Sequence, residues 1–328
     1  MVRRGTRRVV AIGFDVGGTN VRGVALERGS PTPLATLRSK TQADGDVLVE
    51  TIVEVTNELI AELQAKDSSV TLEAVGIGIA ALIDADGIFR YAPNIPGVFD
   101  YPLVEPVRDR LDVPVIADND ATTATWAEAQ FGAGVGHDHM AFVALGTGIG
   151  TGFVLGGKLH RGAHGYAGES GHITIERGGP VHITGARGPW EYFASGNGLG
   201  IIARDWAKSG RLDAAIELAG SVEDIRGEHI NELVDRAEPS VEPVIREFAE
   251  NVSIGLADLV YILDPEIIVI GGGLVGLGEM LCNTVESALA VRILGGDHRP
   301  AVPVVLAKLG ARAGAIGAGA LAFDLVPT

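Results

Sequence analysis

A short apolar run, a glycine-rich turn and a second apolar run occur near the start of this chain and again about 130 residues later. Residues 9–14 lead into Asp15-Val16-Gly17-Gly18-Thr19-Asn20 and continue over residues 21–26. Residues 140–145 lead into Gly146-Thr147-Gly148-Ile149-Gly150 and continue over residues 151–155, where Gly156-Gly157 signals a hairpin. We read this repeat as two related α/β halves facing each other across a cleft. Apolar residues at helical spacing over residues 46–66 (Leu48, Ile52, Val55, Leu59, Ile60, Leu63) predict an amphipathic helix. Strand patterns at 72–83, 113–117, 266–270 and 302–306 alternate with helical ones at 121–131, 241–263, 278–291 and 312–323. Residues 156–200 break the alternation and read as an insertion with its own chemistry. The glycines, 46 of 328 residues, sit in clusters directly after apolar runs, so the surplus belongs to turns and not to linkers.

Charge and cysteine content narrow the function. With 26 basic and 42 acidic side chains the formal charge is −16, which opposes sequence-independent nucleic-acid binding, anionic membranes and polyphosphate as substrate. One cysteine, Cys282, excludes intramolecular disulfides and multi-cysteine metal sites and fits a reducing, cytoplasmic setting. No apolar run approaches the roughly 20 residues of a membrane span. Residues 1–8 carry four arginines but are followed by too short an apolar stretch for a signal peptide, and read as a disordered basic lead-in.

Chemistry concentrates at the turns. Taken alone, residues 15–20 are a tight connection between strands. Gly17 and Gly18 also let backbone N–H groups approach an anion without Cβ obstruction, and the Thr19 hydroxyl adds a donor. Asp15 then sits near a phosphate-bound Mg²⁺. Gly146, Thr147 and Gly148 form the matching turn of the second half, and the two turns together grip one polyphosphate. Gly271-Gly272-Gly273, after another apolar strand, offers a flat surface for a base or ribose. Its Gly271-x-Gly273-x-x-Gly276 spacing fits a dinucleotide fingerprint, but no strand ending in an acidic residue follows some 20 residues later, so that reading is rejected. Asp118-Asn119-Asp120 closes a strand and opens a helix, so one of the three is expected to cap that helix. A carboxylate at the carboxyl end of such a strand faces the ligand crevice, where Asp120 accepts a proton from an attacking hydroxyl. Glu169, His172 and Glu191 supply polar groups from the insertion.

In order and spacing these segments resemble the ROK family of sugar kinases, within the actin-like ATPase superfamily. The resemblance runs from about residue 9 to residue 322. Beyond the turns it rests on Arg161-Gly-Ala-His-Gly-Tyr-Ala-Gly-Glu-Ser-Gly-His172, on residues 191–196, on Asp264-Pro-Glu-Ile-Ile-Val-Ile-Gly-Gly-Gly273 and on residues 311–318. Within the family the chain most resembles bacterial glucokinases. The resemblance implies an actin-like, ribonuclease H-like fold with two α/β lobes around a central cleft. Residues 1–120, with the C-terminal helix 312–328 packed on them, form the small lobe. Residues 121–311 form the large one, with a sugar-binding insertion at 156–200. It further implies ATP- and Mg²⁺-dependent phosphorylation of a hexose at its 6-hydroxyl, most often glucose, with Asp120 as general base. Asn94, Asn119, Glu169, His172 and Glu191 match sugar contacts; Asp15, Gly17, Gly18, Thr19, Asn20, Gly146, Thr147, Gly148 and Gly271–Gly273 match the nucleotide side. A homodimer or homotetramer is implied as well.

The chain departs from the family pattern in two places. Asn20 stands where lysine is common. The family's zinc-binding Cys-x-Cys-Gly-x-x-Gly-Cys reads His182-Ile-Thr184-Gly-Ala-Arg-Gly-Pro189 here, so structural zinc is not expected and packing by Pro189, Trp190 and Phe193 takes its place. Kinases of N-acetylmannosamine, N-acetylglucosamine or fructose remain alternatives. So does a non-catalytic sugar-sensing regulator, although such relatives place a helix-turn-helix ahead of the first strand, where barely ten residues stand here. A chaperone- or filament-type actin-like ATPase is disfavoured by the sugar-contact segment.

Overall fold

The computed structural model describes residues 7–92 and 95–326. The basic lead-in expected over residues 1–8 falls, for residues 1–6, outside the described residues, as does Asn94. Two compact units are present, one of Met1–Val135, Leu159–Ala167 and Ala311–Thr328, the other of Gly136–Lys158 and Gly168–Gly310. The first carries β1 (Arg8–Val16), β2 (Asn20–Glu27), β3 (Ala35–Lys40), α1 (Gly45–Lys66), β4 (Val70–Ile79), β5 (Leu82–Ile83), β6 (Ile88–Tyr91), β7 (Tyr101–Pro102), α2 (Val104–Leu111), β8 (Val115–Asn119) and α3 (Asp120–Phe131). The second carries β9 (Met140–Leu145), β10 (Ile149–Leu155), α4 (Trp190–Ala194), α5 (Gly196–Lys208), α6 (Asp213–Ala219), α7 (Gly227–Asp235), α8 (Glu242–Leu263), β12 (Ile267–Gly271), α9 (Gly278–Arg292) and β13 (Val304–Leu306). Between β10 and α4 lies the short strand β11 (Lys158–His160), and α10 (Ala313–Asp324) returns to the first unit.

Two five-stranded sheets follow the same path. The orders are β3-β2-β1-β4-β8 and β11-β10-β9-β12-β13. In both, the opening strand pairs antiparallel with its successor and parallel with a later strand on its other side. The repeat seen in the sequence is therefore a repeat of topology. The Gly156-Gly157 turn has both residues at positive φ (58° and 71°), the left-handed pair that a two-residue hairpin requires.

Sequence dictates how the first sheet is covered. Helix α1 starts at Asp44, whose carboxylate accepts from the Val47 N–H at 3.0 Å. Its Leu48, Ile52, Val55, Leu59 and Leu63 are buried against the sheet. On the other face, α10 reads Ala-Gly-Ala-Ile-Gly-Ala-Gly-Ala and lies backbone to backbone on the strands. A Cβ at Gly76 of β4 would overlap the Ala318 carbonyl, and one at Gly13 of β1 would overlap that of Ala315. A Cβ at Gly317 would strike the Thr123 carbonyl of α3. Part of the glycine surplus is thus spent on close approach and not on turns.

The core of the second unit gathers Trp190, Phe248, Leu256 and Val260 around β9 and β12. One stretch, Gly273–Arg292, is long and apolar enough by length and composition to cross a membrane, contrary to the sequence expectation. Its helical part buries Leu281, Cys282, Val285 and Leu289 in this core, and burial pushes the Cys282 thiol up to about 12. Close packing of α10 gives a direct test. Gly76→Ala should destabilise the protein by about 1–3 kcal/mol through overpacking. Gly178→Ala, at an exposed position with nothing near its Cβ, should leave the thermal midpoint unchanged.

Candidate active site

Three parallel strands of the first sheet end together. Asp15 of β1 pairs across to Gly78 of β4, and Gly78 to Asp118 of β8; one step further, Val16, Ile79 and Asn119 are in register. The turn after β1 and the start of α3 therefore leave the same sheet edge, two strand spacings, or about 10 Å, apart. This is the carboxyl edge, where ligands of open α/β sheets bind.

The turn at residues 17–20 is held from below. The Gly17 N–H donates to the Asn20 carbonyl at 3.0 Å, the Thr41 hydroxyl donates to the Gly17 carbonyl at 2.6 Å, and the Thr41 N–H donates to that of Thr19 at 3.0 Å. Gly18, Thr19 and Asn20 are exposed. Gly17 does not have positive φ, and the nearest atom to an added Cβ is 3.9 Å away, so neither the turn nor its packing demands glycine there. Open space above the backbone is what the missing side chain leaves. Burial raises the Asp15 carboxyl above its ordinary value, and the Arg22 guanidinium 3.6 Å away partly offsets this. Arg22 itself is fixed by donating to the Ala311 carbonyl.

At the β8 tip the three polar residues divide the work. Asn119 caps α3, its Oδ1 accepting from the Ala121 and Thr122 N–H groups at 2.8 and 3.2 Å, while its amide donates to the Ala81 carbonyl at 3.3 Å. One amide hydrogen remains for a substrate. Asp120 is half-buried in the first turn of α3, and its Oδ1 accepts from the Ala121 N–H at 2.8 Å. Asp118 is buried and ion-paired with Arg161; burial drives its carboxyl up and Arg161 pulls it back down. The sequence reading missed this pair. The signal for it was an arginine opening the Arg161–His172 motif with no acidic neighbour along the chain.

In the second unit the Gly146–Gly150 turn and Gly271-Gly272-Gly273 sit side by side, because Gly271 pairs with Ala144. Gly271 and Gly272 are sterically required: a Cβ would meet the Phe142 ring or the Leu145 backbone. Gly273 is open above its Cα, and its carbonyl accepts from the Asn231 amide at 3.2 Å. The strand that follows, β13, leads into Ala307-Lys308, so no acidic partner for a ribose ends it. Thr147 is exposed. Glu191 passes across Gly148, where a Cβ would strike its carboxylate, and its Oε2 accepts from the Ile149 N–H at 2.7 Å. That amide is therefore engaged by the protein itself.

Three insertion residues expected to act together do meet in this unit. His172 Nε2 is 3.6 Å from Glu169 Oε2, and His182 Nε2 is 3.2 Å from Glu191 Oε1. Burial raises the Glu169 carboxyl above its ordinary 4.5; His172 lowers it and nearby Glu191 raises it further. His172, His182 and Glu191 offer ligand atoms within 4.8 Å of one another. They do not fit a closed structural zinc site, which takes four protein ligands. The stretch offers no thiolate, Glu191 Oε2 already accepts from the Ile149 N–H, and the second ring nitrogen of His182 is 3.0 Å from the Thr184 hydroxyl. Trp190 anchors the segment instead. It is fully buried over Gly255 of α8, and its Nε1 donates to the Asn251 carbonyl at 3.1 Å.

Comparison with known proteins places the chain. The ROK family model matches residues 11–324. A glucokinase of Streptomyces coelicolor is 34% identical over 323 residues, covering 97% of this chain and 99% of that protein. Among solved structures, a ROK family glucokinase from Streptomyces griseus in complex with glucose and AMPPNP is 34% identical. It superposes with a TM-score of 0.82 over 96% of this chain and 99% of its own. A ROK hexokinase from Thermus thermophilus is 31% identical, with a TM-score of 0.75 over 96% of this chain and 98% of its own. The fold is that of the actin-like ATPases.

The Asp118–Arg161 pair yields the prediction specific to this edge. Arg161→Met leaves a buried carboxylate without its partner and should cost about 2–3 kcal/mol in urea unfolding, below the full value for a wholly buried pair because Arg161 is partly exposed. Adding Asp118→Asn should recover part of the loss.

Proposed function

The chain belongs to the ROK family, and we propose that it transfers the γ-phosphoryl group of ATP to the 6-hydroxyl of glucose. What carries this reading is the register of β1, β4 and β8. It puts the Gly17–Asn20 turn and Asp120 on one sheet edge, at a spacing suited to an acceptor hydroxyl and a polyphosphate end to end. The similarity to glucokinases, including one that binds glucose and AMPPNP, supports glucose and ATP as the pair.

Asp120 takes the proton of the 6-hydroxyl as that oxygen attacks the γ-phosphorus. The new O–P bond forms while the bond to the β,γ-bridging oxygen breaks, and ADP leaves. Asn119, fixed as the helix cap, holds Asp120 in place and offers its remaining amide hydrogen to the sugar. Glu169, His172 and Glu191, with Asn94, bind the other hydroxyls. A carboxylate accepts from two neighbouring hydroxyls at once, and a site built this way rejects sugars that leave it unpaired. Gly17, Gly18, Thr19 and Asn20 of the first unit and Gly146, Thr147, Gly148 and Gly273 of the second are the nucleotide-binding residues; Gly271 and Gly272 let the backbone pack closely beneath that turn. Asp15 would be the hard-oxygen group for magnesium bound with the nucleotide, an ion that would neutralise charge on the transferring phosphoryl.

A cytoplasmic setting and a homo-oligomer complete the proposal. Buried Cys282 as the single cysteine supports the first. Exposed Tyr261, Ile262, Val291 and Leu294, at the ends of α8 and α9, support the second.

A coupled ADP-release assay over glucose, mannose, fructose and the N-acetylated hexosamines tests the reading, with glucose expected to give the highest kcat/KM. No turnover with any sugar would overturn it. Asp120→Asn should lower kcat by about 10²–10⁴-fold while calorimetric glucose binding survives. The raised Glu169 carboxyl adds a pH test. As the pH falls through its elevated value, the charged acceptor is lost and the glucose KM should rise. Above that value KM should be flat, and Glu169→Gln should remove the dependence.

A further inference from the structure

The segment that lacks the family's cysteines is nevertheless ordered by a regular set of hydrogen bonds. Residues 174–189 form a hairpin-like loop with bridges between Thr174 and Pro189 and between Val181 and Arg187. Ile175 and Glu176 donate to the Gly188 carbonyl at 2.9 and 3.2 Å, Gly188 donates to that of Pro180 at 2.9 Å, and His182 donates to that of Ala186 at 2.8 Å. This ladder carries the His182 side chain back to Glu191. Its Nε2 lies 3.2 Å from Glu191 Oε1 and its Nδ1 lies 3.0 Å from the Thr184 hydroxyl. In the neutral ring one nitrogen donates and the other accepts. With Nδ1 paired to the Thr184 hydroxyl, the ring presents Nε2 to the Glu191 carboxylate as a close polar contact, not as an aligned hydrogen bond.

We propose that His182 is a positioning residue for Glu191, and that this clip orders the sugar-binding loop without a metal ion. The inference rests on Glu191 binding the hexose, as in the function proposed above. A carboxylate has about four acceptor directions. The Ile149 N–H occupies one on Oε2, and His182 Nε2 is held 3.2 Å from Oε1, where it blocks rotation of the carboxylate. The acceptor directions left over are the ones a hexose hydroxyl would use. The His182 and Glu191 side chains are only 13% and 17% exposed, so water competes weakly for these contacts. Without the imidazole, Glu191 keeps one anchor and rotates about it. A metal on His182 Nε2 would displace that contact, so clip and metal site exclude each other.

Three variants test the assignment with glucose as substrate. His182→Ala removes the ring and should raise the glucose KM about tenfold or more with kcat changed less than about threefold. His182→Gln places an amide N–H near the position of Nε2 and should return KM to within about threefold of wild type. Thr184→Val, which leaves the ring but frees it to turn, should give a smaller rise than His182→Ala. Trypsin cleavage after Arg177 and Arg187 reads loop order independently of activity. It should be faster in His182→Ala, and unaffected by a zinc chelator in the wild type. An unchanged KM in His182→Ala, no recovery in His182→Gln, or unchanged cleavage would overturn the positioning role. One zinc per purified chain, with chelation raising KM or cleavage rate, would overturn the metal-free clip. Wild-type protein inactive on every hexose would instead defeat the proposed function, leaving the cleavage comparison to judge the clip.

Discussion

Everything proposed for this chain depends on three parallel strands of one sheet ending in register. β1, β4 and β8 bring Asp15, Gly78 and Asp118 into line, and the chain leaves the outer two as a glycine turn and a helix N-terminus. What holds the register is contact between backbones. At Gly13, Gly76 and Gly317 a neighbouring backbone leaves no room for a side chain, so α10 settles on β1, β4 and α3 in one position only. The N-cap at Asn119 then sets the direction in which Asp120 leaves the strand.

The second sheet repeats the path without repeating the chemistry. Its strands end at Leu145 and Gly271, with no carboxylate at either tip, and its contribution is backbone and open space at Thr147 and Gly273. Its acid groups come from the insertion. Glu191 is the hub: it crosses Gly148, accepts from Ile149, receives His182, and follows directly on the buried Trp190. One residue thus links the Gly146–Gly150 turn to the 174–189 loop within a single unit. Duplicated topology with divided chemistry explains why the two halves have similar strand patterns but different polar residues.

Much of the fold was legible because periodicity reports burial. The 46–66 pattern became α1 with its predicted residues inside except Ile60, which is half-buried, and the strands at 140–145 and 266–270 appear within a residue or so. Helices α5 to α7 were not read, since Gly196, Gly198 and Gly200 weaken helix propensity at the start of α5 and tertiary packing overrides it. Among site residues, the turns and Asp120 stood out as local patterns. The Asp118–Arg161 pair, 43 residues apart, and the Glu191–Ile149 bond, 42 apart, are products of tertiary structure and have no local signature. The missing cysteines were legible as an absence. The packing of Trp190 that anchors the segment was legible too, but the approach of His182 to Glu191 was not, because it arises only once the loop has folded back on itself.

The most direct measurement is a crystal structure of this protein with glucose and a non-hydrolysable ATP analogue. The account predicts an Asp120 carboxylate oxygen within hydrogen-bond distance, about 2.6–3.2 Å, of the glucose 6-hydroxyl. In the same structure that hydroxyl should face the γ-phosphoryl group, and Glu191 should accept from two other hydroxyls. A 6-hydroxyl paired with some other side chain, with Asp120 turned away from the sugar, would contradict it.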